Sequence, residues 1–194
     1  MVGENDGGEF EEASLYWEQP LTPRVAFVAT PWYAQDALDT DDGWRAEANV
    51  GLKAALMRGD HGAMAVEAGA TWRSDPDRAC GEGGAELRWL GGASFGHSGQ
   101  AFVNLEAAER VSAGGCESQR FELTTGYHAS DRWLAMAQVF TEQRADENDA
   151  VLGQITLVRF HAEGRGVQLG FRARLDGDDS EPSLVLAFWG HPRD

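Results

Sequence analysis

Lysine is almost missing from this 194-residue chain: Lys53 is the only one, and arginine supplies every other strong cation. Acidic residues number 32 against 16 basic ones, for a formal net charge of −16. Such a chain offers little basic surface to a phosphate backbone, which argues against nucleic acid as a partner. Long apolar runs are missing as well. No stretch of about 18 apolar residues occurs, so no transmembrane helix is expected. Nor are there the unbroken apolar strands that build a parallel α/β sheet. Residues 1–10, "MVGENDGGEF", are polar and acidic and lack the apolar stretch of a signal peptide. Taken alone this points to a soluble chain, a reading that fails for a mature or truncated form.

Catalytic motifs are lacking too: there is no GxSxG, P-loop, CxxC, HExxH or dinucleotide fingerprint. Ser94, His97 and Ser98 fall close together, but in a Gly-rich turn with no acid beside them to orient the histidine. The acidic stretches "DTDDG" and "DGDDSE" miss the calcium-loop spacing and read as solvated loops. The five histidines sit in or beside short turns or the C-terminus without metal-ligand spacing. The expectation is therefore no enzyme, with no catalytic, cofactor or metal-binding residues assigned.

What is present is glycine (24), tryptophan (7) and a persistent period of two. In "WRAEANVGLKAALMRGD", Trp44, Ala46, Ala48, Val50, Leu52, Ala54 and Leu56 alternate with Arg45, Glu47, Asn49, Gly51 and Lys53. Such alternation gives a strand one apolar and one ionic face. Eleven stretches behave this way: roughly 10–19, 23–33, 44–57, 62–73, 83–92, 100–111, 119–129, 132–143, 150–161, 166–176 and 183–190. Most exceed the ordinary strand length of about 5–6 residues and reach the roughly 9–11 of a membrane-barrel strand. Short connections ("QPLTPR", "MRGDHG", "GASFGHSG", "HASDR", "HAEGRG") take turns with longer, mostly acidic ones, as in an up-and-down meander with two unlike ends.

The expected fold is all-β: one antiparallel up-and-down transmembrane-type β-barrel of 10–12 strands over 1–194, with 1–9 a flexible N-terminal segment. Trp17, Trp44, Trp72 and Trp133 near strand ends suit an aromatic girdle. On this reading Arg45, Glu47, Lys53, Glu67, Arg73, Glu86, Arg88, Glu106, Arg110, Arg120, Glu122, Arg172 and Arg174 line the lumen. They either pair and fill a narrow barrel or border a polar pathway whose charges set selectivity. The alternative is a soluble lipocalin-like barrel with its apolar face inward around a hydrophobic ligand. Cys80 and Cys116 fall in neighbouring long connections and are a disulfide candidate if the chain is exported.

The stretch "LYWEQPLTPRVAF" resembles a family of uncharacterised proteobacterial outer-membrane β-barrel proteins, through Tyr16, Glu18, Leu21, Thr22 and Arg24 (Tyr-x-Glu-x-x-Leu-Thr-x-Arg). "AELRWLGGASFG", "LTTGYHASDRWLAMAQVF" and "SLVLAFWG" look similar in the same order, so the resemblance covers most of the chain. It implies a barrel in the bacterial outer membrane, in contact with the lipid bilayer. It brings no activity and no catalytic residues. The function expected is a structural barrel or a minor passive channel for small solutes. Family members also begin with a signal peptide and an extra strand, neither visible here, and "WGHPRD" lacks a terminal aromatic. Even strand numbers in bacterial barrels then suggest a twelve-stranded parent whose first strand is lost.

Overall fold

In the computed structural model the described residues are 2–5, 8–36, 44–74, 82–96, 99–114, 116–144, 150–162, 164–176 and 182–190. Cys80, His97, His191 and most of the loop acids lie outside them. Thirteen strand elements share one antiparallel sheet. They are β1 (Val2–Asn5), β2 (Gly8–Ser14), β3 (Trp17–Pro20), β4 (Val25–Asp36), β5 (Trp44–Arg58), β6 (Gly62–Ser74), β7 (Gly83–Phe95), β8 (Ala101–Ser112), β9 (Glu117–Ser130), β10 (Trp133–Arg144), β11 (Ala150–Ala162), β12 (Arg165–Arg174) and β13 (Ser183–Trp189). From β3 to β13 each strand pairs with its sequence neighbours, as a meander must. β1 joins β13 to β2, and β2 pairs with β4, so the ladder returns on itself.

β2 and β3 are two halves of one stave. Phe10–Asp36 and Trp17–Ala29 belong to the same unbroken register against β4. The interruption falls opposite Pro31. Leu15 donates its N–H to the Pro31 carbonyl at 3.0 Å, but proline has no N–H to return the bond. Counted this way, the wall has twelve staves. One of these features differs from the sequence reading. Residues 1–9 were expected outside the barrel, yet Val2–Asn5 and Gly8 onward are strand. Val2–Asn5 forms a short stave between β13 and β2. "VGEN" is too short to show alternation, and its pairing comes from the edges of β2 and β13.

Alternation becomes sidedness. On β12 Val167, Leu169 and Phe171 are exposed while Gly166, Gln168 and Gly170 are buried. On β5 Val50, Leu52 and Leu56 are exposed while Asn49 is buried. The exposures are inverted relative to a water-soluble core: Ile155 is 73% and Phe171 62% exposed, whereas Glu67 is 2% and Glu86 6% exposed. The lipocalin-like alternative needs the apolar rows inside, and these rows lie outside. Trp17, Trp72 and Trp133 are exposed and Trp44 is half-buried.

The tight connections are built from local chemistry. The Thr22 hydroxyl accepts the Arg24 and Val25 N–H groups at 3.2 and 3.0 Å. Gly164 turns between β11 and β12 at φ 63°, a left-handed conformation that favours glycine. Bulges at Ala55/Met57, Trp133/Leu134 and Phe160/Ala162 sit at this same short-turn end, where a bulge bends and twists a strand.

Candidate functional site: the polar face of the wall

The charged residues singled out by alternation share the face opposite the exposed hydrophobics. At its centre Glu86 is held on several sides. Asn49 Nδ2 donates at 2.7 Å, the Arg88 guanidinium at 2.7 Å, and Arg110 through Nε and a terminal nitrogen at 3.1 and 2.7 Å. The same guanidinium of Arg110 reaches Glu47 at 2.5 Å. Arg110 is on β8 and Glu47 on β5, three strands apart. They meet because the strands between carry glycine on this face. A Cβ on Gly69 would lie 2.6 Å from the Val50 carbonyl oxygen and from Asn49 Oδ1. One on Gly84 would lie 2.6 Å from the Val111 carbonyl oxygen. With no Cβ there, a trough floored by backbone lets Arg110 and Glu86 lie across the sheet.

The remaining residues fall around this network. Glu67 is buried between its register partners Lys53 and Arg88. Lys53 pairs with Glu18 and donates to the Tyr16 hydroxyl at 3.0 Å. Arg88 also approaches Glu106 at 3.7 Å, and Arg120 approaches Glu142 at 3.5 Å. Glu122 accepts from Thr124 at 2.9 Å and Gln138 at 3.2 Å. Arg73 stands opposite Glu47 in register. Arg45 is exposed at the start of β5. Arg174 Nε bonds Asp176 at 2.7 Å, and Asp176 also accepts the Val151 N–H at 3.1 Å. The Arg174 hydrogen bond holds the Asp176 carboxyl below its ordinary range.

The structure places Lys53 opposite Glu67 and Glu47 opposite Arg73 across β5 and β6, and it adds contacts that reach farther. Arg45 with Glu47, and Arg120 with Glu122, are two apart on one face, a spacing that suggests pairing. Instead, Glu47 is joined to Arg110, and Arg120 approaches Glu142. Side chains two residues apart on a strand are about 6.6 Å apart at their roots, farther than many cross-strand neighbours.

Alternation also missed a second wall. Gln138 donates to Thr124 at 3.2 Å, Gln154 to Gln138 at 2.7 Å and Arg172 Nε to Gln154 at 2.8 Å, a row of amides across β9–β12. Arg172 also lies over the Phe140 ring, 4.9 Å from its centroid. Towards the short-turn end this face becomes apolar, with buried Leu134, Met136 and Val158 packed against Phe102 and Phe160. Rings run on from Phe102 through His128 and Phe160 to Trp189, with centroids 5.9–6.5 Å apart. The parity of Gln138, Gln154 and Phe102 was readable. That apolar and ionic residues share one face was not, because composition alone does not tell which end of a strand a residue serves.

Among the described residues no group of His, Cys, Asp or Glu is arranged to hold a metal, and no helix is long and apolar enough to cross a membrane. Cys116 is disulfide-bonded, and the sequence contains one other cysteine, Cys80.

These features define the architectural class: a transmembrane-type antiparallel β-barrel, with apolar residues outward and polar ones on the opposite face. A solved structure named "KdgM porin" shares this fold, with a TM-score of 0.62 over 98% of this chain and 96% of that one at 8% identity. No family model and no curated protein matches the chain.

Proposed function

We propose that the chain is a barrel of the bacterial outer membrane that acts as a minor passive channel for small solutes. Its thirteen charged residues named above line the lumen. One observation carries the reading: hydrophobic side chains are exposed where charged ones are buried, a distribution favourable only if the exposed face meets lipid. The fold shared with a structure named as a porin supports a channel rather than an enzyme. A disulfide between Cys80 and Cys116 fits an exported chain. In this reading the Glu47–Arg110–Glu86 network lies flat against one wall, while Glu106 and Arg120, with more exposed side chains, face the solute path.

Reconstitution into planar bilayers tests it. Discrete, ohmic conductance steps in potassium chloride are expected. Folded, inserted protein that never conducts would contradict the channel and leave a barrel packed shut by its own side chains.

A further inference from the structure

Two arginines stand on the apolar face of the wall. Arg159 has the parity of the exposed Ile155 and Leu157 on β11, and Arg165 that of the exposed Val167 and Leu169 on β12. Both are exposed, and among the described strands alternation turns no other arginine outward. A cation on a lipid-facing surface is costly at the midplane and tolerated near the interfaces. Both residues lie within a few positions of the short turn between β11 and β12.

Their surroundings suit an anion. Arg159 stands opposite Val167, and Arg165 is two residues from Val167 on the same face, so their side chains are diagonal neighbours, about 7–8 Å apart at their roots. Arg159 also lies over the Trp133 ring, 5.6 Å from its centroid. Stacking uses the face of the guanidinium and leaves its edge N–H groups for an acceptor. Neither arginine makes an ion pair among the described residues. Asp131, in the adjoining short turn, lines the interior cavity together with Arg132, and Glu163 lies outside the described residues. The outward-facing acids Glu109 and Glu117 are at the opposite, long-connection end.

We propose that Arg159 and Arg165, beside Trp133, bind the phosphate of an anionic phospholipid in the leaflet at the short-turn end. The two guanidiniums supply charge-assisted hydrogen bonds to the phosphate oxygens, and the indole sits at headgroup level. The occupant is a lipid because the pair opens onto the same face as Leu157, Val167 and Leu169, which receive the acyl chains. The net charge of −16 would by itself thin anionic lipid around the barrel, so enrichment at this place is a local signature. The inference rests on the bilayer-facing orientation proposed above, but not on ion conduction.

The test places an environment-sensitive fluorophore at position 157, next to Arg159, or at position 87, near the long-connection end. The vesicles hold equal amounts of phosphatidylcholine and phosphatidylglycerol, and either one or the other is chain-brominated. Quenching at position 157 is expected to report phosphatidylglycerol enriched about fivefold over phosphatidylcholine, the scale of one basic residue at an anionic surface, with no enrichment at position 87. Arg159→Gln and Arg165→Gln should each reduce the enrichment about twofold and together abolish it, and Arg159→Lys should retain part of it. Heat-modifiable gel mobility verifies folding; should Arg159→Gln fail to fold, Arg165→Gln carries the test. Equal quenching by the two lipids at position 157, the same enrichment at position 87, or enrichment that persists in the folded variants overturns the proposal. Quenching at position 157 by neither lipid refutes the bilayer-facing orientation and this proposal with it, whereas quenching without enrichment refutes the phosphate site alone.

Discussion

Arg110 shows what one residue contributes. It serves two carboxylates, Glu47 and Glu86, at 2.5 and 2.7 Å, and both lie in a trough with little water. Replacing it with methionine keeps most of the volume but leaves two buried acids facing each other. Removing one partner of a buried ion pair costs about 3–5 kcal/mol. Arg110→Met should therefore lower the urea midpoint of the barrel in lipid vesicles by a corresponding amount. Adding Glu86→Gln should recover a substantial part of the loss, a non-additivity that a double-mutant cycle reads directly. A midpoint unchanged by Arg110→Met would show that water in the lumen already screens these charges. The face that Arg110 occupies was legible in the sequence, since period two is a geometric consequence of the extended chain. Its partner was not. The contact with Glu47 crosses intervening strands and depends on Gly69 and Gly84 lacking side chains, which pairwise spacing does not encode.

At the scale of elements, the eleven alternating stretches correspond to β2–β3 and to β4 through β13, with ends displaced by a few residues. Strand length and the short–long rhythm of connections survived because each reports on the chain itself. β1 was not legible, since four residues carry no usable period and their pairing is tertiary. The split of β2 from β3 did have a visible cause, Pro31 in the middle of an otherwise regular strand. Restoring the missing donor with Pro31→Ala should allow a bond to the Leu15 carbonyl and join the two halves. A typical hydrogen bond contributes about 0.5–1.5 kcal/mol net. The new amide at position 31 should exchange slowly with deuterium, at a rate comparable to its β4 neighbours. Fast exchange there would mean that something other than the absent N–H separates the halves.

For the whole molecule, the sequence showed two unlike faces on every strand but not which face was inside. The same alternation serves a soluble barrel and a membrane barrel. Burial resolves this: the closed ladder carries Glu67, Glu86 and Arg110 on its buried side and Leu52, Ile155 and Phe171 on its exposed one. The −16 net charge is compatible with that arrangement because the acids concentrate in the long connections, while the polar face of the wall balances acid with arginine.

The orientation of the wall can be tested most directly by residue-by-residue fluorescence along β12, with an environment-sensitive probe placed singly at positions 167 to 172 in vesicles containing chain-brominated lipid. Probes at Val167, Leu169 and Phe171 are expected to be strongly quenched and those at Gln168, Gly170 and Arg172 weakly quenched, in strict alternation. Uniform quenching along the strand, or quenching strongest at Gln168 and Arg172, would contradict a wall that turns its apolar face to lipid.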